Sequence, residues 1–566
     1  MGALDIHSAL DAHLSSVLAP DTRPNILLLF TDQQRAETIG ALGNPHMVTP
    51  NLDQLVREGR AYTNAYSPNP ICCPARHNLI TGLPARDHGI ADNEFNARCN
   101  RCLPTIAEIL SDSGYHTRAI GKMHFQPARR HNGFEVRESM EEVPEYLEDD
   151  DYLQYLQTHG YGTVQNIHGV RNLLYMVPQS ALIPEEHHGT KWVADRVIDY
   201  LDHKSRNRPY FLFAGWIAPH PPFNVPERLM DLYKDVPLPT SLAAHSTLCE
   251  LTKENKAWAD FPDPSYERRM RECYFAQITF IDEQIGRIIA KLKELGEYDN
   301  TLVIFSSDHG EMLSDLGCYQ KFLPFDGSSK IPLVVRYPHY TRPGERVDAF
   351  VDLNDFLPTM LDVAGVTYPA DYQLPGESLF ARIPVKDREH QYIEYSRGNR
   401  RWVALRDHHY LYVYYYGGGR EELFDRTKPD GEAYNLLEPH LGDVMDDVLD
   451  KDRDKDKDSY EAVRLELRGR LIAMEQQWGL PGYIKDDDFV VLEPYVANPH
   501  RNSSFPVFPR TIAQPGGFNF YAEVEAAVAH QPVDLSQLDL DAFVQHTKAP
   551  QAHKEAFLRK YRSTYE

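Results

Sequence analysis

Short, uninterrupted apolar runs punctuate the first half of the chain, and helical patterns fill the intervals between them. Residues 25–31 contain Ile26-Leu27-Leu28-Leu29-Phe30 with no polar alternation, the pattern of a strand covered on both faces. Similar runs lie at 118–121, 210–215 and 302–306. Between them, 104–114 places Ile106, Ile109 and Leu110 at helical spacing, with Leu103 just before and Gly114 as a stop. Residues 192–201 read as a second helix. Residues 274–295 read as a third, with Ile278, Ile281, Ile285, Ile288 and Ile289 on a repeating stripe. Strands alternating with helices predict an α/β fold built on a large, mostly parallel sheet flanked by helices.

From about residue 391 the texture changes. Residues 402–405 and 410–416 read as antiparallel strands, and 461–478 as an amphipathic helix on Val463, Leu467, Leu471 and Met474. A smaller α+β domain, an antiparallel sheet with a helix, is therefore expected over 391–480, after a main α/β domain over 24–390. An amphipathic arm (1–23) precedes both. An extension rich in Pro, Phe and Tyr (481–566) follows, and is expected to wrap the body or a neighbouring subunit of a homodimer or homotetramer. The alternating Asp/Lys/Arg run at 450–458 reads as a solvated loop.

With 42% hydrophobic and 25% charged residues the composition is globular, and 566 residues accommodate one large enzyme fold or about two to four domains. The balance of 59 Lys+Arg against 83 Asp+Glu leaves a net charge of −24, which works against nucleic-acid binding. An anionic small substrate remains compatible if local cations or a metal reverse the field. No apolar run approaches roughly 18 residues, so no membrane span is expected. The N-terminus lacks a basic segment leading into an apolar core, so no secretory signal is expected, and a cytoplasmic location follows as an expectation. Seven scattered cysteines are not a disulfide framework, and Cys99/Cys102, a lone C-x-x-C, reads as two ordinary thiols rather than a zinc site.

Chemistry in open α/β sheets collects beyond the carboxyl ends of the strands. Here each apolar run leads into polar residues: Asp32-Gln33, then Lys122-Met123-His124, then Pro219-His220-Pro221, then Asp308-His309-Gly310 with Lys321 further on. One such residue would ordinarily be a cap or a surface group; four strand ends in agreement point to one site. A fifth element is Cys72-Cys73-Pro74-Ala75-Arg76, with Pro74 suited to a first helical turn and Gly82 to its stop. Cys72 then sits at a helix N-terminus, where amide groups favour an anion, and Arg76 can return from one turn on to clamp oxygens. Taken alone, the pair of cysteines would read as buried thiols before a core helix.

Together, Cys72-x-Pro74-x-Arg76 with Leu79, Thr81 and Gly82 resembles the signature of the formylglycine-dependent sulfatases of the alkaline phosphatase superfamily. The flanking motifs are similar too: Pro24-Asn25-Ile26, Gly121-Lys122-Met123-His124, Pro219-His220-x-Pro222, Ser307-Asp308-His309-Gly310-Glu311, Lys321, Asp352-x-x-Asp355-x-x-Pro358-Thr359, and Glu422-Leu423-Phe424-Asp425 with Asn435-Leu436. The resemblance spans about residues 24–480. It implies an alkaline-phosphatase-like catalytic domain over 24–390 that hydrolyses organic sulfate monoesters, aryl or carbohydrate, and releases inorganic sulfate. It also implies that a formylglycine-generating enzyme converts Cys72, not Cys73, to Cα-formylglycine. One hydroxyl of the hydrated aldehyde attacks sulfur and the other later expels sulfate.

By the same resemblance Asp32, Gln33, Asp308 and His309, with the residue at Cys72, hold one divalent cation. Calcium is expected first. Gln33 and His309 stand where many relatives carry Asp and Asn, which brings in manganese or magnesium. Arg76, Lys122 and Lys321 would offset the anionic transition state, His220 and Lys321 would protonate the leaving oxygen, and His124 is the candidate base for sulfate release. The alternative is a phosphonate monoester or phosphodiester hydrolase of the same superfamily. That branch tends to carry an uncharged residue where this chain has Lys122, which ranks sulfatase first. Specificity is expected in 140–190, 225–265 and the C-terminal domain. His88, Asn93, His187, His188, Arg397 and Arg400 are further candidates, each more in keeping with a structural role.

Overall fold

The computed structural model describes residues 23–93, 102–144, 147–164, 166–171, 175–247, 249–256, 264–369, 372–381, 388–438, 457–497 and 526–527. The N-terminal arm, Cys99, residues 450–456 of the charged run and most of the C-terminal extension lie outside the described residues.

Eight strands form the main sheet: β1 (Asn25–Asp32), β2 (Arg60–Tyr66), β3 (His116–Gly121), β4 (Val136–Ser139), β5 (Tyr210–Pro219), β6 (Thr301–Ser307), β7 (Leu333–Arg336) and β8 (Glu345–Asp352). Their spatial order is β8-β2-β7-β6-β1-β5-β3-β4. All neighbours pair in parallel except β7, which runs antiparallel to both β6 and β2. The mixed, mostly parallel sheet expected from the sequence is therefore present. The apolar run of β1 lies at its centre because both of its faces are covered. Leu27 and Leu29 join one core cluster with Leu52 and Leu55 of α1 (Pro50–Glu58), Trp192 and Val197 of α4 (Gly189–His203), and Ile281, Ile285 and Ile288 of α5 (Pro264–Glu294). Ile26, Leu28 and Phe30 join the opposite cluster with Leu79 of α2 (Cys72–Thr81), Ile106 and Leu110 of α3 (Ile106–Asp112), and Met360 of α6 (Phe356–Ala364). Strand side chains alternate between faces, so a continuous apolar run is what two helical layers require. Each fully buried Leu or Ile contributes about 1.5–3 kcal/mol.

Helix α5 begins ten residues before the Ile-rich stretch that predicts it. Its first turns, around Glu267–Cys273, are mostly charged and carry no apolar period. They are held instead by pairs at helical spacing, Arg268 with Glu272 and Arg269 with Glu272.

A second sheet of four antiparallel strands, β9 (Gln391–Tyr395), β10 (Trp402–Arg406), β11 (Tyr410–Tyr415) and β12 (Arg420–Asp425), is also as expected. Val403, Leu405, Tyr412 and Leu423 pack against Leu467 and Leu471 of α7 (Lys457–Trp478). The other face buries Trp402, Ala404, Val413 and Phe424 against Phe322 and Phe325 of the main body. Trp402 Nε1 donates to the Phe322 carbonyl (2.8 Å), which ties this sheet to the segment carrying Lys321. Among the described residues no helix is long and apolar enough to cross a membrane.

One backbone contact positions the site directly. Gly121 ends β3 at φ 92°, and a Cβ there would lie 1.9 Å from the Gly215 carbonyl oxygen. The same oxygen accepts the Lys122 N–H at 2.9 Å. Gly121→Ala is expected to destabilise the fold by about 3 kcal/mol through strain and overpacking, as read by urea unfolding.

Candidate active site

The strands β1, β3, β5 and β6 end side by side, and their carboxyl ends bring Asp32, Lys122, His220 and Asp308-His309 together. Helix α2 delivers Cys72 to the same point. Ile71 is extended at its N-cap, and Gly82 closes it in the left-handed conformation (φ 67°). Asn93 Oδ1 accepts the Cys73 amide (2.9 Å), so this loop side chain caps the helix beside Cys72.

Asp32, Cys72, Asp308 and His309 are all buried, and their ligand atoms all lie within 4.8 Å of one another. His309 Nδ1 donates to the Gly310 carbonyl (2.9 Å), because a carbonyl can only accept. Its Nε2 is thereby turned inward, 3.1 Å from Cys72 Sγ, 3.7 Å from Asp32 and 3.6 Å from Asp308. Two carboxylates and an imidazole nitrogen converging in a buried spot fit a divalent cation. Gln33, at φ 65°, donates its backbone N–H to Asp308 (3.0 Å). Its carboxamide oxygen accepts from Lys321, and its nitrogen donates to Glu311.

Charge is dense here. Arg76 donates to Asp308 (2.9 Å), to Asp32 (3.2 Å) and to the Lys122 carbonyl (3.1 Å), so its guanidinium aligns both carboxylates. Lys122 Nζ bridges Asp32 (2.5 Å) and Glu142 (2.7 Å). Burial disfavours the charged form of Asp32, but Lys122 and Arg76 outweigh it and hold the carboxyl well below its usual range. Burial likewise opposes a charged Lys122, and Asp32 and Glu142 overcome it, pushing the ammonium well above its ordinary value. Burial and Asp32 raise the Cys72 thiol. Lys321, Lys122 and His309 pull it down further, to about 6. Its sulfur marks the place that an aldehyde oxygen would take after oxidation.

His220 Nδ1 donates to the Pro221 carbonyl (2.6 Å), and its Nε2 accepts from Lys321 Nζ (2.8 Å). Burial, reinforced by Lys321 and Lys122, keeps this imidazole neutral, well below its normal range, despite the nearby Glu142 and Asp32. His124 adopts φ 51°, its N–H held by Glu141 (3.0 Å). Among the described residues its Nδ1 has no hydrogen-bond partner, while the ring lies against the Cys73 and Cys72 sulfurs. These draw its pKa well above normal in spite of burial.

The sulfatase family profile matches residues 24–366, the span that carries every residue just described. The chain belongs to the sulfatase family. A second profile, the C-terminal region of N-sulphoglucosamine sulphohydrolase, matches residues 314–458 of this sulfatase. It is 30% identical to an arylsulfatase of Clostridium perfringens over 73% of this chain and 90% of that one. It is 29% identical to a choline-sulfatase of Rhizobium meliloti, over 75% and 84% of the two chains. In fold it resembles a phosphonate monoester hydrolase of Agrobacterium radiobacter, with a TM-score of 0.67 at 24% identity over 83% of this chain and all of that one. The fold is that of the alkaline phosphatase superfamily, and the protein is a sulfatase enzyme.

Sequence patterns alone miss several residues of the sulfatase's site. Glu141, Glu142 and Arg171 lie in the 140–190 segment, where specificity is expected but no individual residue is singled out by the sequence. Glu142 nevertheless touches Lys122, Arg171 and His220. Glu311 accepts from Gln33 and from the Leu313 amide (3.1 Å), which shapes the loop that returns Lys321. Other candidates have structural roles. His188 caps α4 (3.1 Å to the Thr190 amide), and His187 accepts from or donates to Tyr155 Oη (2.6 Å). His88 is buried beside His77, Arg397 donates to the Gly89 carbonyl (2.7 Å), and Arg400 donates to Tyr395 Oη (2.9 Å). The Asp352/Asp355 motif forms a capping box ahead of α6 and pairs with Arg388.

Proposed function

We propose that this sulfatase hydrolyses organic sulfate monoesters, aryl or carbohydrate sulfates, to the free alcohol and inorganic sulfate. The observation that carries the reading is Lys122, a buried ammonium held between Asp32 and Glu142 beside the N-terminus of α2. Such a fixed positive charge favours the singly charged sulfuryl group and the charge that develops on its oxygens.

Cys72, as Cα-formylglycine, would supply a geminal diol whose two hydroxyls serve attack and release. A divalent cation held by Asp32, Asp308 and His309 would polarise the ester oxygens and lower the diol's pKa. Calcium is the expected ion, with manganese or magnesium admitted by the imidazole donor. Around this centre the chain's own residues divide the work. Arg76 keeps Asp32 and Asp308 aligned. Lys321 carries the proton for the departing alcohol oxygen, and His220 orients that ammonium through Nε2. His124, beside position 72, is the candidate base for sulfate release once oxidation of Cys72 has removed one of the sulfurs that raise its pKa.

The second reading is phosphonate monoester or phosphodiester hydrolysis, the first being the activity named for the Agrobacterium radiobacter enzyme whose fold this chain resembles. A relative from Trinickia caryophylli, 28% identical over 62% of this chain and 75% of that one, is described as a multifunctional alkaline phosphatase superfamily protein. A turnover panel of aryl sulfate, choline sulfate, sulfated monosaccharides, phosphonate monoester and phosphodiester separates the two readings. Lys122→Ala is expected to lower sulfate-ester kcat/KM by at least about tenfold, or ~1.4 kcal/mol, and phosphodiester turnover by less. Equal losses on both would remove the ground for ranking sulfate first.

A further inference from the structure

Glu142 is an anion placed inside a cluster of cations that receives an anionic substrate. One carboxylate oxygen accepts from Lys122 Nζ (2.7 Å), while the other pairs with Arg171 and lies 3.5 Å from His220 Nδ1. Its exposure is only 11%, and Arg171 beneath it is 2% exposed, so neither charge is dissipated into solvent. The carboxylate does not lapse to its neutral form. Burial alone would raise its pKa, but Lys122, Arg171 and Lys321 together hold it well below the usual range. Its backbone is anchored as well: the neighbouring Glu141 accepts the Met123 and His124 amides (3.1 and 3.0 Å), and Asp150 accepts the Glu141 amide (2.6 Å). A buried charge with anchored flanks cannot swing away when a ligand arrives.

We propose that Glu142 is a specificity-determining residue that selects by charge, admitting monoanionic esters and disfavouring dianionic phosphate monoesters. The inference rests on the reading of this pocket as an ester-hydrolysis site, but not on whether sulfur or phosphorus is the preferred centre. Sulfate monoesters, phosphonate monoesters and phosphodiesters each present one negative charge, whereas an aryl phosphate at pH 8 presents two. A fixed negative charge that touches Lys122 and His220 repels a dianion about twice as strongly as a monoanion at the same distance, by Coulomb's law at the effective dielectric of a protein interior. Arg171 offsets part of this field and holds the carboxylate in place, acting as a positioning residue.

The experiment compares wild type, Glu142→Gln and Glu142→Asp on aryl sulfate, aryl methylphosphonate and aryl phosphate with the same leaving group at pH 8. In Glu142→Gln the kcat/KM ratio of phosphate to sulfate should rise about tenfold or more, and so should the ratio of phosphate to phosphonate. Glu142→Asp, which keeps the charge, should retain the wild-type ratios whatever its absolute rate. A uniform fall on all three substrates in Glu142→Gln, with ratios unchanged, would mean that the residue only props Lys122 and would overturn the proposal. If that variant turns over nothing, calorimetric affinities for aryl sulfate and aryl phosphate give the same ratio, and an unchanged ratio overturns it equally. Wild type preferring phosphonate over sulfate would instead refute the sulfate reading while leaving the charge filter standing.

Discussion

Cys72→Ala is expected to yield a folded protein with no measurable ester hydrolysis, while Cys73→Ala retains substantial activity. The two cysteines are adjacent and both buried, yet their surroundings differ. Cys72 Sγ faces His309 at 3.1 Å and Asp32 at 3.8 Å, whereas Cys73 Sγ faces the amide of Gln126 at 4.0 Å. Only position 72 can present a nucleophile to the paired aspartates. Alanine at the first position of α2 keeps the helix intact, because the cap comes from Asn93 and the Ile71 backbone rather than from the thiol. The companion expectation is chemical: active enzyme should carry formylglycine at 72, about 18 Da lighter than cysteine, with an unmodified thiol at 73. Peptide mass spectrometry over residues 71–76 reads this directly. An unmodified Cys72 in fully active enzyme, or a modification mapped to Cys73, would overturn the mechanism.

Asp308→Ala should be nearly as severe, with activity lost together with bound divalent cation in metal analysis. Asp308 accepts from Arg76 Nε, from the Gln33 amide and from its own neighbour's amide at His309 (2.9 Å). Its removal withdraws one of two clustered carboxylates and leaves a fully buried guanidinium without half of its counter-charge. Breaking a buried pair from one side costs about 3–5 kcal/mol, so a lowered Tm should accompany the loss. Conversely, chelation of wild-type enzyme should abolish turnover, and readdition of calcium, manganese or magnesium in parallel should rank the ions. Full metal occupancy and normal turnover in Asp308→Ala would refute the assignment.

Much of this site was legible in one dimension because parallel strands put their chemistry at one end. Asp32, Lys122, His220 and Asp308 each follow an apolar run, and a run that is buried on both faces advertises itself without help from an alignment. Gln33 was legible as a polar strand-end residue but not in its engagement, since its positive φ and its contacts with Lys321 and Glu311 depend on a loop that returns from far along the chain. The polar opening of α5 escaped for a related reason: charged turns held by Arg–Glu pairs carry no apolar period to detect.

What the sequence determined by itself was the layered α/β body, the strand-end cluster and the helix that presents Cys72, because local apolar periodicity and turn chemistry encode each of them. Glu141 and Glu142 were decided only by tertiary structure. Nothing in an acidic stretch after the short, half-buried β4 distinguishes them from solvated carboxylates. They enter the site because β4 pairs in parallel with β3, Ser139 opposite Gly121, so that the residues after each strand emerge side by side. That register places one carboxylate on the backbone of Met123 and His124 and the next on the ammonium of Lys122. A charge acquires its role from the partner across the sheet, and that partner is set by strand pairing rather than by neighbours along the chain.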